Sequence, residues 1–492
     1  MRERLASPPA PEILQYLYGP RLAEQRVTLF SPMMMVNQAH VVMLARQGII
    51  DRAAAVKLLR EIRALEASGP DGMEWNAALE DVHLNIEAQL IARLGPEVGG
   101  RMHTARSRND LYATVNRIYV RERLLGAAEQ LLALRGQMLD LASAHAETIM
   151  TGYTHMQPAQ PITFGHYLSG VAAGLEREDG RMAAAYASAN RSPMGACALA
   201  GTSFPIDRAL VADLLGFDGV LTNTLDAVAT RDYVGDALYA LAMAGTVLSR
   251  CATDLHHWCS FEYGFVELSD AAAGTSSIMP QKKNPMPLEH TKAKAAHLVG
   301  ALVSAMGCWK TTPYAHGREV STESVQVAGD AFTQVAAACA LMACSLRGLK
   351  VNGERMRAAL DRNFAVATDF ADALVQEGGL PFRTAHQVVA AAVRKRAERG
   401  DAGLNADAVL AAMREMGLST KLPAERLTLL ASPEEAVRRR AHPGGPAPEE
   451  VRRMVGQQQE VLEAHRQAWA GRRGRLDEAS ERLEQAVSGF VG

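Results

Sequence analysis

The chain has no excess of either charge: 52 Lys and Arg against 54 Asp and Glu leave a net charge of -2. That balance gives no global field to draw nucleic acid or an anionic membrane, and it favours small-molecule partners. Long apolar runs are missing too. The longest, such as Val335 to Cys344, fall well short of the ~18 residues a membrane helix needs, and the charged, proline-rich Met1 to Pro11 lacks the apolar centre of a secretory signal. The expectation is a soluble, cytoplasmic protein. The six cysteines (Cys197, Cys251, Cys259, Cys308, Cys339 and Cys344) have no Cys-x-x-Cys spacing, which argues against a disulfide framework. They read as reduced core residues, with a low-pKa thiol at Cys197 as the one alternative. His-Glu-x-x-His, phosphate-loop and dinucleotide fingerprints are absent, so neither a metal nor a cofactor is expected.

What the chain does have is helical punctuation over a length that suggests roughly three domains at ~150 residues each. Ser31-Pro32 opens a helix that ends near Gly48, Asp51 caps another to Gly69, and a third runs from Asp81 to Leu94 before Gly95-Pro96. From Leu111 the pattern lengthens: Leu111, Ile118, Leu125, Leu132 and Leu139 recur every seven residues, the spacing of a long helix among near-parallel neighbours. Similar stretches cover 163–189, 230–261, 287–310 and 322–349. The expected division is an all-helical chain with an amino-terminal domain over 1–106, a central long-helix bundle over 107–351 and a carboxy-terminal helical domain over 352–492. The narrow seams, rich in Ala, Gly and Met, look too small-sided for one chain and predict association with further copies; a monomeric Ala-rich bundle is the alternative. The basic tail between Arg438 and Arg475 has one aromatic, Trp469, and its charges fall at amphipathic spacing, which favours a solvated helix face over nucleic-acid binding.

Three polar segments interrupt the apolar helices where folding alone asks only for short turns. Arg101-Met102-His103-Thr104-Ala105-Arg106-Ser107-Arg108-Asn109-Asp110 sets cations, hydroxyls and an amide at a helix start, which suits a carboxylate ligand; the alternative is a plain cap with paired arginines. Thr151-Gly152-Tyr153-Thr154-His155-Met156-Gln157-Pro158-Ala159-Gln160-Pro161 fixes Thr154 and His155 on a proline-stiffened turn, as proton transfer requires. Ala271 to Pro285 reads as a closing lid, small residues first and then Lys282 and Asn284 as an anion clamp before the next helix.

With these segments, and with Leu380-Pro381-Phe382-Arg383-Thr384-Ala385-His386, the chain resembles the argininosuccinate lyase family of the fumarase/aspartase superfamily. The run Ser276-Ser277-Ile278-Met279-Pro280-Gln281-Lys282-Lys283-Asn284-Pro285 is the most specific part of the match. The resemblance implies a homotetramer whose long helices form a 20-helix core, with each active site collecting the three segments from three subunits. It implies Ser276 as the base that takes the Cβ proton and His155, paired with Glu289, as its catalytic partner. It places Ser107, Arg108, Asn109, Thr154, Ser277, Met279, Lys282 and Asn284 around the succinyl part of the substrate. The chemistry agrees, because proton removal beside a carboxylate builds an enediolate-like dianion that needs fixed donors and a cation.

The chain also departs from the family. Thr275 and Ala105 stand where the family has Gly. Thr312-Pro313-Tyr314-Ala315-His316-Gly317-Arg318-Glu319-Val320-Ser321 lacks the Asn, Asp and Gln-Glu-Asp-Lys run that usually follows the matching Tyr, and the amino-terminal Trp-Gly-Gly-Arg-Phe survives only as Leu17-Tyr18-Gly19-Pro20-Arg21. The succinyl half is thus kept and the amine half altered, with Tyr314 and Arg318 as substrate contacts and positive character at His316 and Arg318. The expected activity is a carbon-nitrogen lyase that eliminates fumarate from an N-substituted aspartate, in the manner of relatives that cleave aminopolycarboxylates such as ethylenediaminedisuccinate. Argininosuccinate lyase proper is the alternative, and an inactive structural homologue is a third reading that the retained Ser276, His155, Lys282 and Asn284 oppose.

Overall fold

The structure is a computed structural model that describes residues 7–492. Helix α1 (Pro11–Thr28) opens at a proline and contains a π turn at Leu14–Tyr18. It bends by 73° into α2 (Phe30–Arg46). Leu29, rather than Ser31, is the last residue before α2, because its N–H still bonds Gln25 O at 2.8 Å and the chain barely leaves the helix. The predicted Asp51 cap forms, accepting the Ala54 N–H ahead of α3 (Arg52–Ser68), and Asp81, at the predicted start of the third helix, acts as a cap by accepting the Leu84 N–H ahead of α4 (Val82–Leu94).

The long helices follow. Helix α5 (Arg108–Ala144) has 37 residues and starts at a capping box of Ser107 and Asp110. All five residues of its seven-residue repeat are buried. A hairpin of β1 (Ile149–Thr154) and β2 (Gln157–Thr163) leads to α6 (Phe164–Ala189), and α7 (Asp232–Trp258) comes next. The short pair β3 (Gly274–Thr275) and β4 (Lys283–Asn284) precedes α8 (Met286–Trp309), and α9 (Ser324–Leu346) completes the bundle. Packing closes a ring: α5 lies on α6, α6 on α7, α7 on α8, α8 on α9, and α9 returns to α5. Leu131, Met138, Leu175, Leu241, Leu248, Leu298, Val335 and Met342 fill it. Gly245 sets the α7–α8 approach, since a Cβ there would sit 2.7 Å from a Leu298 methyl. Helix α9 is apolar enough by length and composition to cross a membrane, yet it lies against α5, α7 and α8 with Phe332, Cys339 and Met342 buried.

Shorter helices α10 (Ala367–Gln376), α11 (Phe382–Glu398), α12 (Ala406–Glu415), α13 (Ala424–Leu430) and α14 (Pro433–Arg439) enclose a separate core around Phe370, Leu374, Val388 and Leu427. Helix α15 (Pro448–Val491) does not join that core. Its 44 residues run back along α5 and α6 to α3, burying Val455, Leu462, Trp469, Leu483 and Val487. The arginines of the basic tail meet acids, as in Arg452–Glu147, Arg453–Glu450 and Arg473–Glu122.

The bundle has two distinct ends. At one, Arg117 near the start of α5 covers the Tyr233 ring of α7 at 4.0 Å, and a Cβ on Gly235 would lie 3.1 Å from Trp309 at the end of α8. At the other, His145 past the end of α5 meets Phe164, and Tyr167 of α6 meets Trp258 at the end of α7. At ~1.5 Å per residue, α5 separates these ends by about 55 Å.

Candidate active site

The first polar segment occupies the start of α5. Asp110 is fully buried and takes three backbone N–H bonds: Ser107 N at 3.0 Å, Gly195 N at 3.0 Å and Cys197 N at 2.9 Å. It therefore ties the helix start to the 195–203 loop, and Asn109 repeats the tie by donating to Ala198 O. Burial lifts the Asp110 carboxyl to about 6. Burial and Asp110 likewise raise the Cys197 thiol, so a low-pKa thiol is not found there. Ala105 adopts φ 60, in the region that favours glycine, and this explains why glycine stands there in the family. Beneath it lies a buried layer that the sequence did not predict as a unit. His40 Nε2 bonds Thr104 O at 2.8 Å, His83 Nε2 lies 3.0 Å from His103 Nδ1, and Glu87 is 3.6 Å from His83. Burial and the buried Arg106 guanidinium hold these imidazoles neutral, His103 at about 4. His83, Glu87 and His103 have metal-ligating atoms within 4.8 Å of one another, and the Arg106 cation beside them opposes a metal ion there.

Beside this helix start, Arg21, Asp81, Arg108, Asn109, His316 and Arg318 line a cavity of about 60 Å³. Arg108 is neutralised by Glu80 and Asp81, at 2.9 and 3.0 Å. Arg21 donates to Glu80 O. Arg318 has no carboxylate within 4 Å among the described residues, and burial together with the Arg21 and Arg108 charges lowers its pKa. His316 does not carry the positive character expected of it. Burial, then Arg231 and Arg318, lower it to about 4, so it is neutral at physiological pH. Tyr314 is exposed and gives its hydroxyl to Asp226. Arg21 and Asp81 were missed as site residues. Arg21 was visible in the Gly19-Pro20-Arg21 remnant, whereas Asp81 reads in sequence only as the start of a helix.

The other two segments lie at the opposite end of the bundle. The β1–β2 hairpin turns at His155 and Met156, at φ 53 and 59, and this two-residue turn exposes Thr154 and His155. His155 makes no hydrogen bond among the described residues. Between α7 and α8, the Ser276 hydroxyl accepts the Met279 N–H at 3.0 Å and the Ile278 N–H at 3.4 Å. Ser277, Met279 and Lys282 are exposed, and Asn284 reaches back to Thr275 O at 3.4 Å. Lys283, by contrast, is held by Glu267 and Asp270 at 2.8 and 2.7 Å. Within the chain Glu289 faces His256, at 3.8 Å, which Lys292 also contacts. One copy of the chain thus brings Arg108 and Asn109 to Arg318, and it keeps them a bundle length from His155 and Ser276.

A family described as Lyase matches residues 21–300, and one described as Argininosuccinate lyase C-terminal matches 364–438. Argininosuccinate lyase 1 of Shouchella clausii is 42% identical over 467 residues, covering 94% of each chain. The argininosuccinate lyase of Methanosarcina acetivorans is 38% identical over 99% of this chain and 98% of its own. Among solved structures, EDDS lyase in complex with formate superposes with a TM-score of 0.88 at 32% identity, covering 99% of this chain and 97% of that one. A 3-carboxy-cis,cis-muconate lactonizing enzyme from Pseudomonas putida, at 20% identity and a TM-score of 0.71, shares the fold. The likeness runs from one end of the chain to the other, and the chain belongs to the argininosuccinate lyase family of the fumarase/aspartase superfamily.

Proposed function

We propose that this carbon-nitrogen lyase releases fumarate from an N-substituted L-aspartate whose leaving amine carries its own carboxylate. The release of fumarate follows from the family; the choice of amine is the proposal. One observation carries it: Arg318 faces the cavity beside Arg108 with no carboxylate within 4 Å among the described residues, and the repulsion from Arg21 and Arg108 outweighs the attraction of the more distant Asp81 and Glu80. A cation in that position gains from an anionic ligand and rejects an amine that arrives with only positive charge.

In the proposed reaction the Ser276 oxygen removes the Cβ proton, and the electron pair passes into the adjacent carboxylate as an enediolate. The C–N bond then breaks, with His155 placed to assist proton delivery to the departing nitrogen. Serine is a weak base at its free pKa, and the two backbone N–H groups already directed at Ser276 Oγ supply part of the stabilisation its alkoxide needs. Lys282, exposed and without an ion-pair partner among the described residues, is free to close on the succinyl carboxylate with Asn284. Because Asn109 and Ser276 lie at opposite ends of a rod, the reading includes a homotetramer in which different copies supply the parts of one site. Argininosuccinate itself is the second reading, favoured by the names of the relatives in Shouchella and Methanosarcina.

The test is fumarate consumption with a panel of amines. Amino acids are expected to react faster than simple amines of similar size, and Arg318→Ala should lower kcat/KM for the carboxylate-bearing amines selectively. Equal losses toward amines with and without a carboxylate would refute the contact. Ordinary turnover of argininosuccinate, with little turnover of other adducts, would establish the second reading.

A further inference from the structure

Among the described residues the chain has two π-helical turns, Leu14–Tyr18 in α1 and Glu319–Glu323 ahead of α9, and both line the same cavity. Such turns are rare, because each widens the helix and loosens its packing, and they gather at functional sites. The cavity measures about 400 Å³ and shares Arg21, Gln25, Arg318, Ser321 and Thr322 with the small cavity at Arg108 and Asn109. It is therefore the outward continuation of the proposed amine side.

Its walls are mixed in a way that limits what fits. Tyr16, Tyr18 and Tyr119 supply ring surface, with Leu17, Leu29 and Val325 beside them. Arg21 lies 5.5 Å from the Tyr18 ring, so a cation and an aromatic face share one side. Glu24 and Glu323 also border the space, and burial raises the Glu24 carboxyl. A second ligand carboxylate would be repelled there. The volume lies within the ~300 to 1,000 Å³ of sites that hold whole small molecules, and a two-carbon diamine would leave most of it to water.

We propose that this cavity receives the leaving amine, and that the amine is a bulky amino acid with one carboxylate toward Arg21 and Arg318 and an aromatic or branched body among the tyrosines. The inference rests on the reading under Proposed function and narrows it, from carboxylate-bearing amines in general to large monocarboxylate ones.

The experiment compares kcat/KM for addition of phenylalanine and of ethylenediamine to fumarate. The wild-type enzyme should favour phenylalanine at least tenfold. Gly329→Leu then fills the cavity from α9, where a Cβ would lie 3.3 Å from the Tyr119 hydroxyl and 4.0 Å from Glu24. Glycine lies mid-helix there, so leucine also improves helix propensity and the variant should fold. The phenylalanine-to-ethylenediamine ratio should fall at least tenfold in Gly329→Leu, and also in Tyr18→Ala, which removes ring surface instead. A wild-type preference for ethylenediamine, or an unchanged ratio in both variants, overturns the inference. Turnover with ethylenediamine or arginine and none with phenylalanine also overturns it, while leaving the lyase reading intact. No turnover with any amine overturns both.

Discussion

Mixing two dead variants should regenerate live enzyme, by an amount that follows from where the residues lie. Asn109 stands at the start of α5, and Ser276 lies at the bundle end where α5 finishes, about 55 Å away at ~1.5 Å per residue. No side chain spans that distance, so a site that uses both must take them from different copies. Ser276→Ala and Asn109→Ala should each be nearly inactive. After subunit exchange at equal ratio, a site is intact when the copy giving Asn109 carries the Ser276 defect and the copy giving Ser276 carries the Asn109 defect. Random assortment makes that about one site in four. Fumarate release should therefore recover to about a quarter of wild-type turnover. Exchange is checked by mass spectrometry of intact mixed oligomers formed from isotopically distinct variants. Mixed oligomers without recovered activity would refute the shared site, because sites built within one chain would all keep a defect.

Other expectations can be checked singly. Ser276→Ala should lower turnover by at least a thousandfold with substrate affinity retained, and near-normal elimination by the folded variant would end its assignment as base. Asp110, raised to about 6 by burial, is ionised at a cost to folding of ~3 kcal/mol above that pH. The penalty fades as the pH falls from about 6 toward its ordinary value near 4. Relative to Asp110→Asn, the wild type should therefore gain stability over that interval, and parallel denaturation midpoints across it would contradict this. Trp469, buried and bonded to Asp179 at 2.7 Å, joins α15 to α6. Trp469→Ala should cost ~3 to 5 kcal/mol and Trp469→Phe less, ordered by thermal midpoint.

The long helices were legible because a seven-residue repeat records its own burial: Leu111, Ile118, Leu125, Leu132 and Leu139 are all inside. The cap at Asp51 was legible because its hydrogen bond is local. The cap at Ser31 was misplaced, since the bend between α1 and α2 is set by tertiary packing and leaves no mark in side-chain type. The partnership of α15 with the bundle was hidden for the same reason. Its apolar stripe is plain, but a stripe does not name what it lies against. At the site, the Ser107 cap and the Arg108 pairing with Glu80 and Asp81 match the alternative that the first polar segment offered, whereas the charge on His316 depends on burial and on Arg231, which the sequence does not display.

If one end of α5 serves one site and the region beyond its other end serves another, the helix is a ruler. A single inserted residue would turn everything beyond it by roughly 100° and advance it by about 1.5 Å. Both sites would then be misaligned by an event that touches neither. Length variation should therefore be confined to places such as the 399–405 and 416–423 connections, where the small carboxy-terminal helices can absorb it, and the count of residues between Asn109 and Ala144 should be held as strictly as the identity of any side chain that meets the substrate.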